Sequence, residues 1–192
     1  MKIKKKIVYI LLGITIITSF NQFIGEFYIV KSNSMYPTLK SIEIIFVEKL
    51  SYRLGIIKPQ LNDVVIFNSN IVDGMHFVKR IAEIKRKGEY LLLNDSTAYK
   101  IKLVANDEGH DVIEYNGGIL IDESFPDVYI PKNNLYYVLG DNKDSSIDSR
   151  QFGYILESNI IGRPLFVIFS WDNEALSFID KIRWKRMFTI IK

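Results

Sequence analysis

Nineteen consecutive residues without a charge, "IVYILLGITIITSFNQFIG" from Ile7 to Gly25, follow the start "MKIKKK". No other stretch constrains the chain as much. As a helix the run rises roughly 28 Å at 1.5 Å per residue, close to the hydrocarbon thickness of a bilayer. It is expected to span a membrane once, with Asn21 and Gln22 near the far interface. A cleaved secretory signal shares the charged start but has a shorter apolar core and a small-x-small cleavage site, and no convincing A-x-A follows this run. Lysines 2, 4, 5 and 6 predict that this end stays in the cytoplasm. The expected organisation is a basic cytoplasmic end (1–6), a transmembrane anchor (7–25) and one extracytoplasmic domain (26–192).

Charge is divided along the chain. Four lysines precede residue 7 and five basic residues follow residue 180, so the remaining 16 basic and 22 acidic residues leave the body at −6. A nucleic-acid binder carries its positive charge on the folded body, so nucleic acid is set aside as a partner. Zero cysteines exclude disulfides, thiolate metal sites and a cysteine nucleophile. The tail "DKIRWKRMF" mixes Trp184 and Phe188 with four basic residues, a composition that suits either a lipid surface or a solvated terminal helix.

From Ile42 onward the apolar segments are short, rich in Ile, Val, Phe and Tyr, and separated by turn residues. "IIFV", "DVVIF", "HFVKRIAEI", "EYLLL", "KIKLV", "DVIEY", "GILI", "LYYVLG" and "PLFVIFSW" all read as strands, with Asn116-Gly117-Gly118 as a turn between two of them. The pattern predicts a mainly β, antiparallel domain directly after one helix.

"KSNSMYPTL", Lys31 to Leu39, places two serines one residue apart at the start of that domain. A serine hydroxyl attacks poorly until a base accepts its proton. The two histidines are His76 and His110; His110 lies in the polar stretch "NDEGHD" and reads as solvent-exposed. Lys79 in "HFVKRI" is the better base. On a strand, side chains 77, 79 and 81 share one face, which puts Lys79 between Phe77 and Ile81. A free lysine is neutral in only roughly one molecule in a thousand near pH 7, and an apolar flank lowers its pKa by penalising the ammonium. Arg80, on the opposite face, reads as a solvated charge. A third segment, "GDNKDSSIDSR", Gly140 to Arg150, lacks the glycine and glutamate positions of a calcium loop, so no metal is expected there.

These segments together resemble the type I signal peptidases, membrane-bound serine proteases, which implies a place in the cell membrane of a bacterium. Ser34 to Leu39 match the family's S-M-x-P-T-L and Val78 to Ile81 its V-K-R-I. Gly140, Asp141, Asn142, Ser146, Asp148, Ser149 and Arg150 match G-D-N-x-x-x-S-x-D-S-R. "NDVVIF" and "FGYILESNIIGRP" resemble two further segments. The resemblance implies a signal-peptidase type of β domain with Ser34 as nucleophile, Lys79 as general base, and Ser146 as the hydroxyl that orients the lysine amine. It implies an oxyanion hole from the Ser34 N–H and the Ser32 hydroxyl, and a supporting ion pair of Asp148 with Arg150. Two departures stand out: "AEIKRKGEY" follows V-K-R-I where a G-L-P-G-D-like turn is usual, and Asn62 replaces a glycine. Neither removes a catalytic group.

The implied reaction is removal of signal peptides from exported preproteins after small-x-small sites, without cofactor or metal, the partners being the signal peptides and the bilayer. A relative that processes pilin or conjugation-type precursors with the same dyad is an alternative reading. So is a catalytically silent, membrane-tethered assembly protein, although such a protein is expected to have lost the serine or the lysine.

Overall fold

The computed structural model describes residues 2–68, 74–89, 91–92, 99–115, 118–121 and 128–192. Helix α1 runs Lys2–Ser19 and continues as a π-helical turn, Phe20–Ile24. Residues Lys6–Ile24 form one helix long and apolar enough, by length and composition, to cross a membrane. The chain then turns directly into a strand at Gly25. Lys49 and Arg53 from the body donate hydrogen bonds to the carbonyls of Asn21 and Gln22, covering acceptors that a helix end leaves unpaired.

The body is built on a seven-stranded sheet in the order β1-β2-β11-β3-β4-β9-β10, antiparallel throughout. The strands are β1 Gly25–Ile29, β2 Glu43–Glu48, β3 Val64–Asn68, β4 His76–Lys85, β9 Leu135–Leu139, β10 Ile155–Leu156 and β11 Ile160–Ser170. Two small ribbons complete it, β5 Leu91–Leu92 with β8 Val128–Tyr129, and β6 Val112–Tyr115 with β7 Gly118–Ile121. Tyr115 stands opposite Gly118, as a short hairpin turn requires, although Asn116 and Gly117 lie outside the described residues.

Although β1 and β4 are separated by three strands in the sheet, the ring of Tyr28 on β1 meets that of His76 on β4 at 5.4 Å. The sheet therefore curls into a half-barrel. Strand β11 joins its two halves, pairing with β2 along residues 163–170 and with β3 at Ile160 and Gly162. Its bulges, one beside Pro164, let it bend between them. One core cluster gathers Val30, Met35, Leu39, Ile45, Val47, Val64, Ile66 and Val167. A second, around Val65, Phe67, Ile81, Val138 and Phe152, lies under β4 and β9.

Three expectations change here. "KIKLV" is not a strand: it forms a 3-10 turn, Tyr99–Ile101, running into an α-helix, Lys102–Asp107. Its fully buried residues Ile101, Val104 and Ala105 follow helical i, i+3, i+4 spacing, which outweighs the apparent K-I-K-L alternation. His110 is half-buried at the end of that helix, where its N–H closes a turn onto the Ala105 carbonyl. The basic tail forms only single turns, Phe178–Lys181 and Trp184–Arg186, and folds back on the sheet instead of standing in solvent as a helix.

Candidate active site

Ser34 sits on a turn fixed by its neighbours. Met35 and Leu39 are almost fully buried in the first core cluster, and the Leu39 N–H closes on the Met35 carbonyl at 2.8 Å. Two apolar anchors with a tight turn between them leave the serine little freedom. Its hydroxyl lies 2.7 Å from Lys79 Nζ, forty-five residues away in sequence, and accepts a 3.2 Å hydrogen bond from Ser32.

Lys79 is 2% exposed, flanked by Phe77, whose ring its amine overlies at 5.7 Å, and by fully buried Ile81. Burial pushes its pKa down to about 8; the more distant Asp148 and Asp141 oppose that shift and Arg150 adds to it. A buried amine in hydrogen-bond contact with a hydroxyl can take that hydroxyl's proton once it is neutral.

The loop Gly140–Arg150 is laid against the Ser34 turn. Asn142 donates its N–H to the Ser34 carbonyl at 2.9 Å and its side-chain amide to the Asn33 carbonyl at 3.1 Å. A methyl at Gly140 would collide with the Ser146 side chain and sit 2.6 Å from the Ser34 carbonyl, so only glycine lets the loop approach this closely. Gly140→Ala is therefore expected to lower stability by about 1–3 kcal/mol, read by thermal unfolding. The Ser146 hydroxyl is buried beside Gly140 without a hydrogen-bond partner of normal geometry; the structure does not bond it to Lys79.

Asp148 caps the short helix Ser149–Phe152, accepting from the N–H groups of Arg150 and Gly140, and its carboxylate pairs with the Arg150 guanidinium at 2.8 Å. Burial alone would raise its pKa, but the Arg150 and Gly140 hydrogen bonds outweigh that and hold it below the usual range.

Residues that sequence reasoning passed over tie the three segments together. Arg80 is no solvated charge: its guanidinium grips Asp141 through two bonds of 2.8 and 2.7 Å and reaches the Thr38 hydroxyl at 3.3 Å. Thr38 also donates to Asp141. One carboxylate from the late loop thus holds the residue next to Lys79 and a residue of the Ser34 turn. The charge in V-K-R-I and the acid in G-D-N were the available signal, since opposite charges in two motifs that serve one site invite pairing. Glu43 was missed as well. It is fully buried and accepts from Arg186, the Lys40 N–H and the Ser170 hydroxyl. Burial would raise its pKa, yet these donors hold it below the ordinary value of 4.5. Because Glu43, Asp141 and Asp148 are all depressed, their stabilisation is complete above the ordinary carboxylate range. It is lost as pH falls through their folded-state values. Unfolding midpoints should accordingly be flat from about pH 5 to 7 and drop steeply in more acid buffer.

The model of the family described as "Signal peptidase, peptidase S26" matches residues 3–171. The chain is 33% identical over 171 residues to Signal peptidase I T of Bacillus subtilis (strain 168), covering 85% of this chain and 83% of that protein. It is 31% identical over 166 residues to Signal peptidase I of Bacillus amyloliquefaciens, 83% of this chain and 82% of the other. Thylakoidal processing peptidase 1, chloroplastic, of Arabidopsis thaliana is 30% identical over 170 residues, 80% of this chain and 45% of that protein.

Proposed function

The chain belongs to the signal peptidase family, peptidase S26, and is a signal-peptide-removing serine protease; from that premise we propose that Ser34 is its nucleophile and Lys79 its general base. The observation that carries this reading is the 2.7 Å contact between a buried lysine amine and the Ser34 hydroxyl. Neutral Lys79 takes the proton of Ser34 as Oγ attacks the scissile carbonyl. The amine then returns the proton to the leaving amino group, and the ester formed on Ser34 is hydrolysed by a water that Lys79 deprotonates in turn.

The developing oxyanion is met by the Ser34 N–H and the Ser32 hydroxyl, which lies against the nucleophile in the resting enzyme. Ser32→Ala is expected to lower kcat by about 10²–10³ with little change in KM; an unchanged kcat would remove Ser32 from the oxyanion hole. Ser146, its hydroxyl buried close to the Asp148 carboxylate, is the group that orients the lysine amine. Asp148 and Arg150 keep the loop carrying Ser146 in place.

Substrate binds as an added strand. Beyond Arg80, β4 pairs with β9, whereas no described strand pairs the same edge of residues His76–Val78. A peptide reaching Lys79 therefore lies along that edge, opposite the segment that leads from Tyr28 to Ser32. Alternate side chains of such an added strand face the protein, and small ones at those positions give the small-x-small preference.

The helix Lys6–Ile24 anchors the enzyme in a bacterial cell membrane, with residues 1–6 cytoplasmic and the catalytic domain outside. An outward sheet face supports this placement. Phe20 of the anchor packs on Phe46, which also meets Phe27 and Phe166 at 5.5 Å, and Phe166 pairs with exposed Ile190. An apolar row continuous with the anchor suits the bilayer interface, and it would hold the site near the segment of the signal peptide that lies in lipid.

The test is incubation of the detergent-solubilised protein with a labelled A-x-A preprotein, followed by N-terminal sequencing of the product. The expected result is one cut directly after the second small residue. An uncut preprotein, with cleavage only of pilin-type or conjugation-type precursors, would favour the specialised reading.

A further inference from the structure

We propose that residues 183–192 brace the Ser34–Lys79 pair, with Arg186 as the principal positioning residue. The proposal rests on the catalytic reading of that pair. The segment lies beyond residues 3–171, the part matched by the family model.

The tail is fastened along the edge of β11 that β3 leaves open. Arg183 donates its N–H to the Ser170 carbonyl at 3.0 Å, Val167 to Thr189 at 3.0 Å, and Ile191 to Leu165 at 2.9 Å, with Phe166 bridged to Ile190. From this seat it touches both halves of the site. Arg186 spends Nε and Nη2 on the two oxygens of buried Glu43 at 2.7 and 2.9 Å, and Nη2 also donates to the Thr38 carbonyl at 2.7 Å. Thr38 ends the turn that begins with Ser34, and its hydroxyl is held from the other side by Asp141 and Arg80. At the far end of the tail, the Lys192 carbonyl accepts from Arg80 Nη1 at 2.9 Å. A single ten-residue segment therefore contacts the nucleophile turn four residues from Ser34 and the base strand one residue from Lys79.

Arginine suits this post because its planar fork serves a carboxylate and a carbonyl together, whereas an ammonium acts as a point charge without that fixed geometry. Proton transfer between Ser34 and Lys79 demands a short, aligned contact. A shift of about 1 Å in such a pair costs on the order of 10² in rate.

The test uses the detergent-solubilised full chain, with Arg186→Ala, Arg186→Lys and a truncation after Phe188 that removes the Lys192 contact while keeping Arg186. Turnover and KM on a labelled preprotein are measured at a temperature where thermal unfolding shows each variant folded. Expected are a kcat lowered about 10–100-fold in Arg186→Ala, a smaller loss in Arg186→Lys and in the truncation, and KM within about 2-fold of wild type. A variant set with lowered unfolding midpoints but wild-type kcat overturns the brace and leaves Arg186 a purely structural residue. If Arg186→Ala does not fold, Arg186→Lys and the truncation decide by the same criterion. Ser34→Ala is run alongside: activity there defeats the catalytic reading itself, whereas an inactive Ser34→Ala beside wild-type kcat in the tail variants defeats only the brace.

Discussion

Ser34→Ala, Lys79→Ala and Lys79→Arg are each expected to lower preprotein cleavage by at least about 10³-fold, with the protein still folded. On the proposed mechanism the serine variant removes the atom that would form the acyl-enzyme, and knocking out one member of a unit of this kind costs about as much as removing all of it. The arginine variant keeps the charge and much of the length of Lys79. It fails because a guanidinium does not give up its proton near neutral pH and so offers no lone pair to Ser34. Lys79→Arg therefore separates a base from a mere cation: if Lys79 served only to attract the oxyanion, arginine would retain most of the rate. Initial rates of preprotein cleavage on purified, folded variants are the measurement.

Lys79→Met is expected to be inactive and at the same time more stable than wild type by on the order of 2–3 kcal/mol at pH 7. Lys79 is 2% exposed and its pKa falls from 10.5 to about 8, a shift of the size that costs about 3 kcal/mol when the ammonium is kept in the folded state. The sign follows from proton counting. Below pH 8 the lysine is charged in both states and the fold carries the whole penalty. Between about 8 and 10.5 the folded protein releases the proton before the unfolded chain does, so wild-type stability rises with pH. Methionine of similar shape carries no such cost. The gap in unfolding midpoint between variant and wild type should be several degrees at pH 7 and close toward pH 10. A gap independent of pH would mean that the amine is not buried as a strained cation.

The same residue shows what the sequence discloses. Placing Lys79 between Phe77 and Ile81 needed only the two-residue period of a strand, and that period also predicts its depressed pKa. The late loop was legible as a unit, but its partners were not. Nothing local in "GDN" says that Asp141 closes on Arg80 and Thr38, 61 and 103 residues away. Such pairings are set by how the sheet curls, which no window of the sequence encodes. Glu43 was within reach: it shares the inward face of β2 with Ile45 and Val47, so an i, i+2, i+4 reading would have put it in the core. A buried carboxylate calls for a cation laid against it, and the basic tail supplies one in half-buried Arg186. The tail's basic residues thus divide between half-buried positions against the body, Arg183 and Arg186, and exposed ones such as Lys185, which composition alone could not resolve. "KIKLV" misled for the opposite reason, since its lysines imitate strand alternation while Ile101, Val104 and Ala105 keep helical spacing.

The central claim is that Ser34 is activated by a neutral, buried lysine. It is tested most directly by the pH dependence of kcat/KM for preprotein cleavage by the detergent-solubilised enzyme, measured from pH 6 to 10. A lysine base of this kind gives a rate that climbs about tenfold per pH unit on the acid side and levels off above an apparent pKa of about 8, the value that burial gives Lys79. A profile already flat at pH 7, or one governed by a group near 6.5 as a histidine base would give, would contradict it.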